Sequence, residues 1–257
     1  MQANQTSEPA PESISWKKRL YDSYVSSGQA GAFTASAEQT FRPRKAYIER
    51  LISKHFPNER AAEILDLGCG HGAFLYFLAK AGYTRAFGVD TSPEQIRKAQ
   101  ELGITTAHCQ PAFDYINGLQ PESLDMVILF DILEHLERQE LFDLLDQVHR
   151  ILRRGGVCLV HVPNGEGVFG MKIRFGDLTH VQAFTQNSTR QLLTTTGFTQ
   201  IKCYEERPVI HGIVSMVRRV LWDLGTLQSR ILLAAETGST RAILSENLLV
   251  RAVKPAQ

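Results

Sequence analysis

The 257-residue chain has only four cysteines, Cys69, Cys109, Cys158 and Cys203. They lie far apart, with no C-x-x-C pair and no Cys/His spacing able to close a tetrahedral metal site. They read as reduced, buried thiols of a cytoplasmic protein, and no metal is assigned. Excess charge of either sign is also missing. The 28 Lys and Arg oppose 27 Asp and Glu, a formal net charge of +1, so no long-range field draws a nucleic-acid backbone or an anionic bilayer to the chain. No apolar run approaches the roughly 20 residues that a membrane span requires. The first residues carry Glu8, Glu12 and two prolines before any apolar run, without the charged, apolar and small-residue zones of a secretory signal. What is present is an ordinary globular mixture, 43% hydrophobic and 21% charged, which rules out disorder of the whole chain.

Residues 1–13 are polar and read as a loose tail. Residues 14–56 read as an N-terminal helical cap in two pieces, broken at Ser26 to Ala32, with Tyr47, Ile48, Leu51 and Ile52 on one stripe of the second. From residue 57 to 257 short apolar runs alternate with helical-period stretches. Ile64 to Leu67 reads as a strand, Gly68 to Gly72 as a tight turn, and Phe74 to Leu78 as the start of a helix. Ala86 to Asp90 reads as the next strand. Ser92-Pro93-Glu94-Gln95 then offers an N-cap, a proline in the first helical position, and a Gln able to reach back to the cap. Met126 to Phe130 is a further apolar run, followed by Leu141, Leu144, Leu145, Val148 and Ile151 at helical spacing. Arg153-Arg154-Gly155-Gly156 is expected to end that helix, the arginines facing its negative end, before a strand at Val157 to Val162.

Strands that are continuously apolar and separated by helices imply a parallel sheet covered on both faces. Thr199 to Glu206 and Asn247 to Lys254 alternate and suit a terminal antiparallel pair. The helical insertion at about 209–235 between them fits a core or dimer helix, or one lying on a membrane surface through Arg218, Arg219 and Trp222; contact with core or oligomer is favoured.

The ligand of an open α/β sheet sits beyond the carboxyl ends of its strands. Asp66-Leu67-Gly68-Cys69-Gly70-His71-Gly72 falls at that place, and Asp90 stands about 20 residues on, where an acid accepts ribose hydroxyls. A nucleoside is the expected ligand. The third glycine comes one residue early for a dinucleotide site, and Asp66 would oppose a phosphate but suit an ammonium and a sulfonium.

On these residues the chain resembles the class I S-adenosylmethionine-dependent methyltransferases over about residues 45–200. Ile64 to Phe74 looks like their first motif, Asp90 like their ribose-binding acid, and Phe130-Asp131-Ile132-Leu133-Glu134-His135-Leu136 like their fourth-strand motif. The resemblance implies a Rossmann-like fold, a doubly wound, mostly parallel seven-stranded sheet with an antiparallel C-terminal edge. It also implies S-adenosyl-L-methionine as cofactor. Asp66, Gly68, Cys69, Gly70 and Gly72 would hold its methionine end, and Asp90 and Thr91 its ribose. Ala112 and Phe113 would hold the adenine, with Phe130, Asp131 and Ile132 completing the site. Pro111 replaces the acid that the family often has before Ala112.

Methyl transfer from a sulfonium asks the protein to align the acceptor and exclude water, and a base is needed only for a weakly acidic acceptor. The loop from Pro163 to Thr185, with Arg174 and Gly176-Asp177-Leu178-Thr179-His180, is long and glycine-rich. It resembles a loop in bacterial methyltransferases that modify sugars and surface polysaccharides. His180 is the first candidate for a base or acceptor-orienting residue, its alternative being a structural histidine that ties the loop down. Glu134 and His135 are the other catalytic candidates. Tyr21 and Tyr24 share a helical face that fits a lid or plain packing, and together with Asp177 and Arg174 they form the substrate-binding set. The expectation is an O-methyltransferase acting on a sugar or glycan-biosynthesis intermediate. The alternatives are another small metabolite such as a quinone, phenol or amine, or a non-catalytic nucleoside-binding module. The partners expected are a small-molecule or glycan acceptor and no nucleic acid, in a monomer or homodimer.

Overall fold

A computed structural model describes residues 16–28, 34, 36–239 and 241–256. The expected tail at 1–13 lies outside the described residues, as does most of the Ser26 to Ala32 break. The helices are α1 (Trp16–Asp22), α2 (Ala37–Phe41), α3 (Lys45–His55), α4 (Ala73–Lys80), α5 (Pro93–Glu101), α6 (Ala112–Asn117), α7 (Arg138–Ile151), α8 (Gly170–Arg174), α9 (Gln186–Thr195), α10 (Ile213–Gly225) and α11 (Leu227–Thr237). The strands are β1 (Ile64–Leu67), β2 (Ala86–Asp90), β3 (Ala107–Cys109), β4 (Leu124–Phe130), β5 (Leu152–Pro163), β6 (Thr199–Glu205) and β7 (Asn247–Val253).

They form one seven-stranded sheet in the order β3-β2-β1-β4-β5-β7-β6. The first five strands pair in parallel, and β7 runs antiparallel to both β5 and β6. This is the doubly wound sheet and antiparallel edge that the strand pattern implies. The pleat sorts neighbouring residues onto opposite faces. Leu65, Leu67, Val127 and Leu129 meet Leu144, Leu145 and Val148 of α7 and Leu193 of α9 on one side. Ile64, Met126 and Ile128 meet Ile48 and Leu51 of α3, Phe74 and Phe77 of α4, and Ile96 of α5 on the other. The stripe on α3 thus joins the core of the sheet domain. The chain leaves β1 for β2 and β3, then returns to the opposite side at β4, so the carboxyl ends of β1 and β4 open a crevice at the switch point.

Several local expectations change. The helix before β5 ends at Ile151, ahead of the arginines, because Leu152 is extended and already buried in the sheet. Arg153 and Arg154 pair instead with Asp125 (2.5 Å) and Glu122 (3.5 Å), and Gly155 takes its left-handed φ of 78° inside the β-segment. The short α2 and the three-residue edge strand β3 left no periodic signal to read. All four cysteines are free, but only Cys69 and Cys158 are buried; Cys203 is half-buried and Cys109 exposed. In α10 only Ser215 is buried and in α11 nothing is, so the 209–235 segment is not a core element of this chain. Among the described residues, no helix is long and apolar enough to cross a membrane.

The long loop after β5 is anchored by Asn164, which is fully buried. Its Nδ2 donates to the carbonyls of Ile243 (2.8 Å) and Ser245 (2.9 Å), and its Oδ1 accepts from the Glu166 N–H. A side chain at Gly170 would meet the Asn164 carbonyl oxygen at 2.1 Å, so the loop packs on bare backbone there. Asn164→Ala strands two buried carbonyls and is expected to cost about 2–4 kcal/mol. Denaturant unfolding should show the lower midpoint at an unchanged slope.

Candidate active site

At the end of β1 the chain must reverse within a few residues to enter α4. Gly68, Gly70 and Gly72 all take positive φ (79°, 54° and 84°), a region that side chains other than glycine rarely adopt. Gly68 and Cys69 donate their N–H groups to the Val89 carbonyl (2.8 and 2.9 Å), and Gly70 donates to Asp90 Oδ2 (2.8 Å). Asp90 Oδ1 accepts from the Ser92 N–H (2.8 Å). Both carboxylate oxygens are thereby aimed by backbone, and each keeps a second lone pair for a further donor.

These residues line a cavity of about 410 Å³. Its walls include Asp66, Gly68, Cys69, Gly70, Asp90 and Thr91 from the first two strand ends. Ala112 and Phe113 come from the start of α6, Phe130, Asp131 and Ile132 from the end of β4, and Tyr21, Tyr24 and His135 from the open side. Of the residues predicted to hold the cofactor, only Gly72 does not line it. A side chain at Gly72 would press into Ile104 at 2.8 Å, so this glycine seats the start of α4.

Other residues of the site left no motif. A side chain at Gly88 would lie 2.6 Å from Cys69 Cβ and 2.9 Å from the Asp66 carbonyl oxygen, so the glycine loop can lie against β2 only there. An isolated glycine inside a strand was the available signal. The Ser92 hydroxyl caps α5 as expected, but Gln95 does not reach back to it. Its amide oxygen bonds His71 Nδ1 (3.1 Å), and His71 stacks on Phe41 with centroids 5.4 Å apart, so His71 is held on the protein rather than facing solvent.

Asp66 is a buried acid on the cavity wall beside the glycine loop. It is 2% exposed, and its Oδ1 has no hydrogen-bond partner. Burial, reinforced by the charge of Asp90, raises its pKa from 3.8 to about 8. Asp131 takes a positive φ of 57° just after β4. It is clamped there by His161 Nδ1, while His161 Nε2 bonds Glu206 (2.8 Å), and the Tyr47 hydroxyl donates to Glu206. Asp131 and Glu206 together outweigh the desolvation of the buried imidazole and raise the His161 pKa well above its ordinary value. The His161 ring stacks on Phe130 with centroids 3.8 Å apart, which locks the exit of β4 against β5.

On the open side, Tyr21 and Tyr24 stack with centroids 6.2 Å apart. The end of α1 and the turn after it are tied to the start of α5, where Ser92 Oγ donates to the Tyr21 carbonyl and the Val25 N–H donates to Glu94 (2.9 Å). The Tyr24 hydroxyl donates to Asp177 Oδ2 (2.9 Å). The Thr179 hydroxyl donates to Asp177 Oδ1 (2.6 Å), so its oxygen can only accept from His135 Nδ1, 2.8 Å away. Burial, with His180 beside it, lowers the His135 pKa to about 4. His180 does not line the cavity. Its Nδ1 donates to the Ile173 carbonyl (3.0 Å), and its Nε2 lies 3.9 Å from Glu134 Oε1. Glu134 lies behind His135, 1% exposed, with Oε2 unpartnered and its pKa raised well by burial and by Asp131. Arg174, grouped with the substrate residues by sequence, has its guanidinium committed to the carbonyls of His180 and Val181 and also stays off the cavity wall.

A buried carboxyl with a pKa of about 8 is protonated at pH 7, and a ligand ammonium beside it favours the ionised form. S-adenosylhomocysteine, which carries such an ammonium, is therefore expected to release about one proton on binding near pH 7, and to bind more tightly as pH rises from roughly 6 to 8. Calorimetry in buffers of different ionisation enthalpy reads the proton directly. Asp66→Asn should bind without that release.

Comparison with known proteins agrees with this geometry. The family model described as "Methyltransferase domain" matches residues 38–202. The O-methyltransferase resE of Aspergillus sclerotiorum is 24% identical over 225 residues, covering 82% of each chain. A ubiquinone biosynthesis O-methyltransferase of Rickettsia felis is 32% identical over 126 residues, 47% of this chain and 49% of that one. The chain thus spans most of the fungal enzyme but about half the rickettsial one. The crystal structure of an S-adenosylmethionine-dependent methyltransferase from Archaeoglobus fulgidus superposes with a TM-score of 0.63 at 23% identity, covering 84% of this chain and 97% of that one, which shows a shared fold. With a matching family model over most of its length and a cavity built as the motifs require, the chain belongs to the methyltransferase-domain family and is an S-adenosylmethionine-dependent methyltransferase.

Proposed function

We propose that the protein transfers the methyl group of S-adenosylmethionine to a hydroxyl of a small acceptor, and that this acceptor is a sugar or glycan-biosynthesis intermediate. The observation that carries the transfer is one cavity whose wall runs from Asp66 and the glycine loop through Asp90 to Phe130–Ile132 and on to Tyr21, Tyr24 and His135. In this reading Asp66 and the loop backbone take the methionine end, Asp90 and Thr91 the ribose, and Ala112 and Phe113 the adenine.

The reaction is an in-line displacement in which charge disappears at sulfur, so alignment and exclusion of water supply most of the catalysis. Tyr21 and Tyr24 close the open side over the reacting atoms. Asp177 does not line the cavity; its two carboxylate oxygens are taken by Tyr24 and Thr179, so in this reading it positions Tyr24 and, through Thr179, His135 on the acceptor side. Activation of the hydroxyl centres on His135, with Glu134 and His180 behind it. Oxygen as the acceptor atom is supported by the fungal and rickettsial relatives, both named as O-methyltransferases. The sugar class rests on the resemblance of the Gly176 to His180 loop. A second reading, a phenol or quinol acceptor, is favoured by the ring pair Tyr21 and Tyr24 at the mouth and by the ubiquinone-pathway relatives. We further propose that residues 14–56 act as the cap of this site and that the enzyme works in the cytoplasm, as a monomer or homodimer.

Asp90→Ala removes the acceptor of the ribose hydroxyls and should weaken S-adenosylhomocysteine binding by about 1.5–3 kcal/mol in calorimetry. Unchanged affinity would take Asp90 out of the site. Incubation with methyl-labelled cofactor and two acceptor panels, nucleotide sugars and glycosides against catechols and quinols, identifies the class by mass spectrometry of the product. Label on the aromatic panel alone would overturn the sugar reading.

A further inference from the structure

We propose that Glu134, His135 and His180 form a binding site for a first-row divalent transition metal ion beside the methyl-donor cavity. Among the described residues, these three bring one ligand atom each within 4.8 Å of one another. They come from two separate segments, the turn after β4 and the loop after β5, and the fold alone assembles them. Bonds of about 2.0–2.2 Å to a cation would space neighbouring ligands roughly 3.0–3.4 Å apart, so binding requires a contraction of about 1 Å between side chains that already converge.

The hydrogen bonds around the cluster prepare it for a cation. A carbonyl cannot donate, so His180 Nδ1, 3.0 Å from the Ile173 carbonyl oxygen, carries the ring hydrogen and the lone pair sits on Nε2, on the Glu134 side. The Thr179 hydroxyl spends its hydrogen on Asp177, so His135 Nδ1 likewise carries the hydrogen and its lone pair sits on Nε2. Each imidazole is thus held by a hydrogen bond from Nδ1 and carries its lone pair on Nε2, the usual support of a metal-bound histidine. The Asp177–Thr179–His135 chain makes that support a carboxylate acting through a hydroxyl.

A second observation points to a ligand independently. Glu134 is 1% exposed, and its Oε2 is buried with no hydrogen-bond partner. An unpartnered carboxylate oxygen buried near Asp131 and Asp177 is costly, and a divalent cation removes that cost. Two imidazoles and one carboxylate select zinc, manganese, iron or cobalt over magnesium or calcium, which prefer all-oxygen sites. Three protein ligands leave positions for water or substrate.

The use of the ion in catalysis rests on the O-methyl-transfer reading, whereas its binding does not. His135 lines the donor cavity, so an acceptor hydroxyl on the ion would sit beside the donor. Its proton would pass to solvent water, made easier by the cation. The oxygen lone pair then forms the C–O bond as the C–S bond breaks, and that electron pair remains on sulfur. Acceptors with two adjacent oxygens, such as vicinal diols or catechols, would bind through both.

The test uses the full chain stripped with a chelator and titrated with Co²⁺, read by visible absorbance, and with Zn²⁺, read by competition with an indicator dye. Wild type is expected to take up about one equivalent of either ion. His180→Ala and Glu134→Gln should each weaken uptake by roughly 10-fold or more while binding S-adenosylhomocysteine as wild type does. The ion should raise the melting temperature of wild type and not that of His180→Ala, which keeps the test decisive should the Glu134 variant fold poorly. Wild-type uptake no tighter than that of His180→Ala would overturn the site. Turnover equal in stripped and metal-loaded enzyme would overturn its catalytic use. Metal bound at these residues with methyl transfer only to nitrogen would support the site and refute the O-methyl-transfer reading instead.

Discussion

Burial of acidic groups without partners is the constraint around which this molecule is organised. Asp66 and Glu134 each keep a carboxyl oxygen that no hydrogen bond reaches, both at the carboxyl end of the sheet. A buried carboxyl left in that state costs free energy in the empty protein, and it lowers that cost only by holding a proton or meeting a cation. In the proposed reading the cofactor brings an ammonium and a sulfonium to the first. The second faces two imidazoles. The stability given up at these two points is what makes the crevice receptive to positive charge.

Holding such groups in place demands rigidity, and the sheet supplies it. Asp131 is kept at a backbone angle that only a few residue types tolerate by a network running from Tyr47 on α3 through Glu206 and His161. That network crosses three layers of chain, so the turn carrying Ile132, Glu134 and His135 leaves the sheet in one direction. On the other side of the switch point, Gly88 lets the glycine loop lie flat on β2 and Asp90 receives its N–H. The two halves of the cavity are therefore set by different means, ionic on the β4 side and steric on the β2 side. The loop after β5 is looser, since Asp177, Thr179 and His180 belong to a segment that Asn164 and Arg174 tie down chiefly through backbone carbonyls.

The strand-turn-helix at Ile64 to Phe74, the acid at Asp90 and the run from Phe130 to Leu136 could be read because each is local. A parallel strand buried on both faces must be apolar throughout, and a chain reversing against a ligand needs glycine. The short edge strand β3 and helix α2 escaped such reading because neither is long enough to carry a period. The apolar stripe of α10 and α11 was legible as helix, but periodicity states that a face is apolar without stating what covers it. Ile213 and Val214 are 77% and 76% exposed here.

Sequence alone therefore determined the alternation of buried parallel strands with helices, the antiparallel character of the last two strands and the placing of Asp66 and Asp90, since each is read within one turn or one strand, and its motifs carried the resemblance that implies the methyl donor. Only the tertiary structure decided that Glu134, His135 and His180 converge, that Arg174 serves the loop and Gly72 the helix packing, and that His161 clamps Asp131. Those contacts join residues as far as 46 positions apart, as between Glu134 and His180. Whether such segments meet depends on how the sheet is wound and which loop is anchored where, and no local pattern of residues carries that information.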